Sequence, residues 1–512
     1  MVAKTLHSLF RNIEIDVSGL QNPLIKGISC DSRLVKEGDL YFGVLGENFD
    51  GGSFWAEALS SGAAALVLGK SAFKRIPTEK RNLVVVVPEP VTFWMGEIAS
   101  AFWEEPSSKM ILVGVTGTNG KTTTTHLIEH LSQATGCSSA LFGTLYNRWP
   151  NYSEASIQTT RSGDVLHSQL AKAVTSGAKV GAMEVSSHAL AQRRVAGIKF
   201  SGAVFTNLTQ DHLDYHLSME KYFEAKALLF KEPLLNVDTP KTVVNIDNEW
   251  GAVLAERIKP ICWRSSLDEK NIQLKKPELY ITNLEIVNKR FQGILHTPLS
   301  YGLFKSSLLG EFNLMNLLQA IGVLVQNGFE LEELLKAAES FPGVPGRMEM
   351  IRLSETMDQL DLPMVLVDYA HTPDGLKNAL IASRPFAKKN LICLFGCGGD
   401  RDRSKRSQMG LIASELADHL IVTSDNPRTE DPYQILNDII SPMPTTDQMI
   451  VEVDREKAIQ LAIMDASSGD VVVIAGKGHE DYQIIGQEKK HFDDREIAKQ
   501  VLQQKAEILL RS

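Results

Sequence analysis

The chain has 512 residues and carries 53 Lys and Arg against 62 Asp and Glu, a formal charge of −9. A composition of 43% hydrophobic and 22% charged residues is that of an ordinary globular protein and excludes disorder over most of the length. The acidic balance argues against a general affinity for nucleic acid, and roughly 100–200 residues per domain allows about three or four domains.

Five cysteines, Cys30, Cys137, Cys262, Cys393 and Cys397, make no disulfide framework. Cys393 and Cys397 have no second pair beside them to complete a zinc site, so buried thiols in a reducing cytosol are expected. No apolar run approaches the roughly 18–20 residues of a transmembrane helix. The opening segment "MVAKTLHSLFRNIEIDV" lacks the apolar core and cleavage site of a signal peptide. A cytoplasmic protein without membrane insertion is the expectation.

In chain order, "GDLYFGVLGENFDGGSFWAEALSSGAAALVL" reads as strand, glycine-containing loop, helix and strand, placing a small α/β domain over 1–105. "FWEEPSSKM" has the polar and proline signature of a linker. Then come the strand, loop and helix of "MILVGVTGTNGKTTTTHLIEHLSQATG", and strands at "AKVGAMEV", "FSGAVFTNL" and "TPKTVVNID". Helical stretches between them predict a central P-loop domain with a parallel sheet over 106–343. Polar strand-like pieces around 270–310 suggest a small antiparallel insertion.

The two prolines and two glycines of "FPGVPGRMEMI" mark a second boundary. Beyond it, "MVLVDYA", "NLICLFGCGGD", "HLIVTSDNP", "MIVEVD" and "DVVVIAGKG" alternate with helical segments, giving a doubly wound, Rossmann-like domain over 344–512.

"GVTGTNGKTT" (114–123) is built to bind nucleotide phosphates: a strand enters a glycine-bearing loop, and Lys-Thr opens a helix. Lys121 brings a positive charge to the terminal phosphates, and the Thr122 hydroxyl suits Mg²⁺. The strict pattern G-x-x-x-x-G-K-[ST] is not met, since Val115 stands where its first glycine belongs. ATP binding is expected, yet kinases, motors, transport ATPases and ligases all share such a loop.

Glu184 ends one strand and His212 follows another, so both belong at the carboxyl edge of the sheet beside the phosphate loop. Glu184 is a hard oxygen ligand suited to Mg²⁺, whereas imidazole is not its usual partner. His212 and His216 stand at i, i+4, but Leu213 replaces the Glu that the zincin motif H-E-x-x-H needs, and "GHEDYQ" has Gln483 in place of its second His. Zinc is a poor reading. Lys226, read alone, is a solvated helix lysine, and His371 is a structural residue of a βα turn.

"TGTNGKTT" is similar to the variant loop of the Mur ligase and folylpolyglutamate synthase superfamily. The resemblance continues in order through "DSR" (31–33), "TT" (159–160), "EVSSHAL" (184–190), "TNLTQDHLDYH" (206–216), "EAKALLF" (224–230), "GEFNLMN" (310–316), "VPGRME" (344–349), "DYAHTPDGL" (368–376), "GCGGDRDRSKR" (396–406), "DNPRTEDP" (425–432) and "GKGHEDYQ" (476–483). Within that superfamily the chain resembles the Mur ligases that add the third amino acid of the peptidoglycan stem precursor.

The resemblance implies ATP binding by Gly117, Thr118, Asn119, Gly120, Lys121, Thr122 and Thr123, with Asn313 and Arg347 holding nucleotide or phosphates. It implies Mg²⁺ held by Thr122, Glu184 and His212, and Lys226 carbamylated by CO₂ into a carboxylate-like ligand. Lys121, Glu184, His212 and Lys226 then form the catalytic set. Ser32 and the loop 46–52 would take the uridine diphosphate end of the nucleotide substrate. Thr159, Thr160, Ser186, Gln192 and Arg194 would bind its N-acetylmuramoyl dipeptide.

For the incoming amino acid, the diaminopimelate-adding members carry D-N-P-R, which is matched here by Asp425, Asn426, Pro427 and Arg428. Arg428, with Arg401 as a second cation, would take the distal carboxylate of meso-diaminopimelate. Asp425, Asn426, Gly476 and Glu480 would take the ammonium end. The implied reaction is ATP-dependent addition of meso-2,6-diaminopimelate to UDP-N-acetylmuramoyl-L-alanyl-D-glutamate through an acyl phosphate, by a monomer. The rivals are the same ligation with L-lysine and a non-catalytic nucleotide-binding relative.

Overall fold

The computed structural model describes all residues except 1–2, 47–48, 236–240, 260–261, 288–289, 355–356, 358–359, 444–448 and 512. The chain divides into two compact units: residues 1–281 with 295–302 and 317–337, and residues 282–294 with 303–316 and 338–512.

The first unit opens with a parallel four-stranded sheet ordered Gly27–Ser29, Asp39–Phe42, Ala65–Gly69, Val84–Val87. Its strands are apolar because helices cover them. The helix Val91–Phe102 buries Met95, Ile98 and Phe102 with Phe42, Val67 and Val85 in one cluster. The segment expected to link two domains contains the short turn Pro106–Lys109. Pro106 and Ser107 are buried, and Ser107 Oγ accepts from the Lys199 N–H at 3.1 Å. Ser107 thus ties the segment to a neighbouring part of the chain while Glu104, Glu105, Ser108 and Lys109 face solvent.

The large sheet runs Tyr152–Ala155, Tyr146–Trp149, Ser139–Phe142, Val180–Glu184, Ile111–Thr116, Gly202–Phe205, Thr242–Asn245, Cys262–Ser266, Leu279–Val287. Its first two strands pair antiparallel with their neighbours, and the rest are parallel. The strand order then passes to Arg290–His296 and Tyr301–Ser306, through connections too short for a parallel crossover. The strands expected around 270–310 are present, but they continue the large sheet, with Leu279–Val287 parallel to Cys262–Ser266.

The second unit contains a sheet ordered Glu349–Met350, Met364–Asp368, Val471–Ala475, Leu391–Phe395, His419–Thr423, Met449–Glu452, parallel except at its first pair. Cys393 and Cys397 are buried in it as free thiols, whereas Cys30, Cys137 and Cys262 are only partly buried. Among the described residues no helix is long and apolar enough to cross a membrane.

Candidate active site

The strand Ile111–Thr116 delivers the phosphate loop between two parallel neighbours. Glu184 lies opposite Val115 on one side, and Phe205 opposite Thr116 on the other. All three strands therefore release their loops at one edge. Gly117 is required by space, since a Cβ there would stand 1.9 Å from Thr206 Oγ1. Gly120, at φ 85°, turns the chain into the helix Lys121–Ala134. The β-branched run Thr122–Thr125 is a poor helix former, and part of its deficit is met locally. The Thr124 and Thr125 hydroxyls donate to the carbonyls of Gly120 (2.9 Å) and Thr122 (3.0 Å). The loop is braced by Asn207, which accepts from the N–H groups of Thr118 and Asn119, each at 2.9 Å.

Glu184 is fully buried, and its carboxylate is held by three neutral donors. The Thr122 hydroxyl reaches Oε2 at 3.0 Å, the Thr144 N–H reaches Oε1 at 2.8 Å, and the Thr144 hydroxyl reaches Oε2 at 3.0 Å. No ion-pair partner for it occurs among the described residues. A buried, unneutralised carboxylate beside a hydroxyl is a hard-oxygen pair that fits a divalent cation such as Mg²⁺. No group of three or more His, Cys, Asp or Glu suited to a metal occurs among the described residues.

Lys226 is not the solvated lysine its helix suggested. It is 1% exposed, and its Nζ donates to the carbonyl of Gly117 at 2.7 Å. It stands over the Tyr222 ring at 4.6 Å, while the Tyr222 hydroxyl pairs with Thr118 Oγ1 at 3.2 Å. Lys121 Nζ donates to the same Gly117 carbonyl at 3.0 Å and to that of Thr118 at 2.8 Å. Burial, and then the charge of Lys121, hold the Lys226 amine well below its ordinary pKa of 10.5.

His212 takes a left-handed conformation, φ 53°, ahead of the short helix Leu213–His216. Its ring meets His188 edge-on at 4.8 Å and Tyr222 at 6.1 Å, and its Nε2 faces Asp211 at 3.4 Å. His216 packs on Tyr222 and bonds Ser187 Oγ at 2.9 Å. Tyr222 thus joins the histidines to Lys226.

The dipeptide-side candidates form one network with Glu184. Thr159 bonds Thr144 at 3.1 Å, Thr160 donates to the Glu184 carbonyl at 2.9 Å, and the Ser186 N–H donates to Thr160 Oγ1 at 3.1 Å. Arg194 donates to the Thr160 carbonyl at 3.2 Å and to the Gln192 side chain. Ser32 stands apart on the four-stranded sheet, its hydroxyl donating to Glu57 at 2.9 Å. Glu47 and Asn48 of the 46–52 loop lie outside the described residues.

In the second unit, three adjacent strand ends supply the amino-acid candidates. Asn426 donates to Glu480 at 2.9 Å and accepts from Lys477 Nζ at 3.4 Å. Lys477 in turn pairs with Glu480 at 3.7 Å. Burial and the nearby Asp425 push the Glu480 carboxyl up, and burial pushes Lys477 down. Gly476 has φ 117°, and a Cβ on it would lie 2.8 Å from Asp425 Oδ2. Arg428, half-buried at φ 53°, is fastened by its N–H to the Ile484 carbonyl at 3.0 Å, and its guanidinium reaches the Gly399 carbonyl at 2.8 Å. Arg401 is exposed. The basic run it opens is not simply a solvated loop, because Arg406 is fully buried between Glu430 and Asp438.

Asn313 spends its amide on the Leu309 carbonyl at 2.9 Å. Arg347 lies 4.4 Å over the Tyr369 ring, and Tyr369 also packs on His371 and His479. Burial, then Arg347, push His479 down to about 3. His371 does sit in the βα turn after Met364–Asp368, as expected.

Sequence reasoning missed Thr144, His188 and Lys477. Lys477 lies inside a quoted motif, yet its burial is invisible there. Thr144 carries no signal in the chain at all.

Family models match in three blocks: "Mur ligase family, catalytic domain" over 24–103, "Mur ligase middle domain" over 115–324, and "Mur ligase, glutamate ligase domain" over 346–478. UDP-N-acetylmuramoyl-L-alanyl-D-glutamate–2,6-diaminopimelate ligases are among the relatives. That of Prochlorococcus marinus (strain MIT 9313) is 60% identical, covering 98% of this chain and 99% of its own. That of Gloeobacter violaceus (strain ATCC 29082 / PCC 7421) is 48% identical with the same coverage. A solved structure of a ligase of that name matches with TM-score 0.70 at 32% identity, covering 98% of this chain and 99% of the other.

Proposed function

The chain belongs to the Mur ligase family of ATP-dependent ligases, with its three-domain α/β fold, and on that premise we propose that it adds meso-2,6-diaminopimelate to UDP-N-acetylmuramoyl-L-alanyl-D-glutamate. The observation that carries this reading is the convergence of Lys121, Thr122, Glu184 and Lys226 on one phosphate loop. It works together with relatives of that activity matched over nearly the whole chain.

A carboxylate is a poor acyl donor. Transfer of the γ-phosphoryl group of ATP to the D-glutamate γ-carboxylate makes an acyl phosphate and ADP. The amine of diaminopimelate then attacks the acyl carbon, forms the amide and expels phosphate, and its proton passes to solvent. Gly117 to Thr123 line the phosphate site: the start of the helix Lys121–Ala134 turns backbone N–H groups to the phosphates while those of Thr118 and Asn119 brace the loop on Asn207, and Lys121 leaves its two carbonyls to meet the terminal phosphate. When bound, Mg²⁺ held by Thr122, Glu184 and His212 offsets the charge that builds on the transferring group.

Lys226, whose amine is held well below its ordinary pKa by burial, would carry the CO₂-derived carbamate, which would supply an anionic oxygen beside the phosphate loop. Thr159, Thr160, Ser186, Gln192 and Arg194 orient the muramoyl dipeptide, and Ser32 belongs to the uridine diphosphate end. Asn313 and Arg347 hold the nucleotide. Arg428 and Arg401 take the distal carboxylate of diaminopimelate, while Asp425, Asn426, Gly476 and Glu480 take its ammonium, with Pro427 shaping the loop. The domains span 1–105, 106–343 and 344–512, and the enzyme works in the cytoplasm as a monomer.

The test is phosphate release from ATP with the UDP-muramoyl dipeptide present and either meso-diaminopimelate or L-lysine added, with the product weighed by mass spectrometry. Release and ligation only with diaminopimelate support the reading. A lysine product overturns the choice of amino acid, and no release with either overturns the ligase.

A further inference from the structure

We propose that the buried Arg455–Asp494 pair is a positioning device for the amino-acid site, setting the spacing between the loop of Asp425 and Asn426 and the loop of Gly476 and Glu480. The inference rests on the reading of that site given above. Arg455 opens the helix Arg455–Asp465, and Asp494 opens the helix Asp494–Arg511. Arg455 is 1% exposed and Asp494 is 0% exposed. The two are joined in a fork, Nε to Oδ1 at 2.8 Å and Nη2 to Oδ2 at 2.7 Å.

The remaining donors of Arg455 go to main-chain carbonyls at two strand ends. Nη1 donates to Ser424 at 3.2 Å and Nη2 to Ala475 at 2.9 Å. Ser424 immediately precedes Asp425, and Ala475 immediately precedes Gly476. One rigid guanidinium therefore ties together the last fixed points of both loops. A Cβ built on Gly476 would stand 2.8 Å from Asp425 Oδ2 and 3.9 Å from Arg455 Nη2, so the carboxylate and the guanidinium flank the same α-carbon.

Asp494 has a second part in this arrangement. An unpaired guanidinium at this place would draw the Asp425 carboxylate onto itself. Held by Asp494, Arg455 leaves Asp425 available for an ammonium group. The pair is not needed to dock the helices, which already bury Ala458, Ile459, Ala462, Val501 and Leu502 in one apolar cluster. A buried ion pair commonly gives no more stability than apolar residues of similar volume, which leaves the two carbonyl ties as its distinctive contribution.

The test uses the full-length enzyme and two variants. Arg455→Met with Asp494→Leu removes the ties while keeping an apolar contact. Arg455→Lys keeps the charge but cannot serve Asp494 and both carbonyls at once. Each is expected to raise KM for meso-diaminopimelate at least tenfold, leave KM for ATP and for the UDP-muramoyl dipeptide within twofold, and narrow the preference over L-lysine. A folded variant with unchanged diaminopimelate KM and preference overturns the proposal, as do equal losses for all three substrates. A parent enzyme inactive with diaminopimelate overturns instead the reading of the site, a result distinct from either.

Discussion

Lys226 Nζ lies 2.7 Å from the carbonyl oxygen of Gly117, so a lysine of the helix Met219–Ala227 is bound to the first glycine of the phosphate loop. Lys121 uses the same carbonyl. Two lysine amines at one acceptor cannot both carry full charge cheaply in a buried place, and the more buried one yields.

That relationship predicts a pH signature in CO₂-free buffer. The amine of Lys226 titrates near 10.5 when unfolded and well below that when folded, so the unfolded state binds the extra proton between the two values. Stability of the parent is then lost as pH falls from 10.5 through that window, at about 1.4 kcal/mol per pH unit. Lys226→Met is expected to be more stable than the parent at pH 7, with the advantage vanishing towards pH 10.5, in denaturant titrations. The same variant loses ligase activity. Adding bicarbonate to the parent, but not to the variant, adds the mass of one CO₂.

Glu184 depends on Thr144 for two of its three hydrogen bonds. Thr144→Val removes one charge-assisted bond, worth about 1.5–3 kcal/mol. Steady-state kinetics is expected to show kcat lower by about 10–100-fold, with the thermal midpoint lowered by roughly a few degrees. Glu184→Gln, which removes the charge itself, should cost more than Thr144→Val. An equal or smaller loss in the Gln variant contradicts a cation-binding role.

Arg428 offers a planar fork to a distal carboxylate that lysine lacks. Arg428→Met is expected to raise KM for meso-diaminopimelate by about 10–100-fold, the scale of a lost charge-assisted pair, without a matching loss towards ATP. If the arginine only braces the Gly399 carbonyl, the variant loses binding of every substrate through disorder of its loop, and the losses are alike.

The Arg406–Glu430 pair is structural, and acid should find it. The Arg406 guanidinium holds the Glu430 carboxyl down to about 2, from an ordinary 4.5. A depressed carboxylate stabilises above its unfolded value and loses that contribution as pH falls from 4.5 towards 2. Glu430→Gln should therefore be less stable than the parent at neutral pH and lose less between pH 4.5 and pH 2. Arg406→Met leaves Asp438 without its cation and Glu430 with Arg403 alone, and is expected to lower stability in urea unfolding by a few kcal/mol, roughly the lower end of the cost of breaking a buried pair.

Much of the molecule is legible in the chain itself. The alternation of apolar runs and helical segments states the α/β class, because buried parallel strands have to be apolar on both faces. Glu184 at the end of "AKVGAMEV" and His212 beyond "FSGAVFTNL" are placed at the loop edge by strand direction alone, and the parallel register about Ile111–Thr116 agrees. The motif order was enough to indicate the ligase family.

Burial and pairing are different, because they depend on what folds against a residue from far along the chain. Lys226 sits in an unremarkable helical stretch, and only the loop 109 residues away makes it a buried amine. Thr144 becomes an orienting donor only because its strand end meets that of Glu184. Arg406, within a run that reads as a basic loop, is enclosed by two acids from later segments. Arg455 and Asp494, 39 residues apart, have no local signature at all. Periodicity and motif are local properties, which the chain carries by itself; the environment of a charge is a long-range one, decided only when distant strands and helices pack.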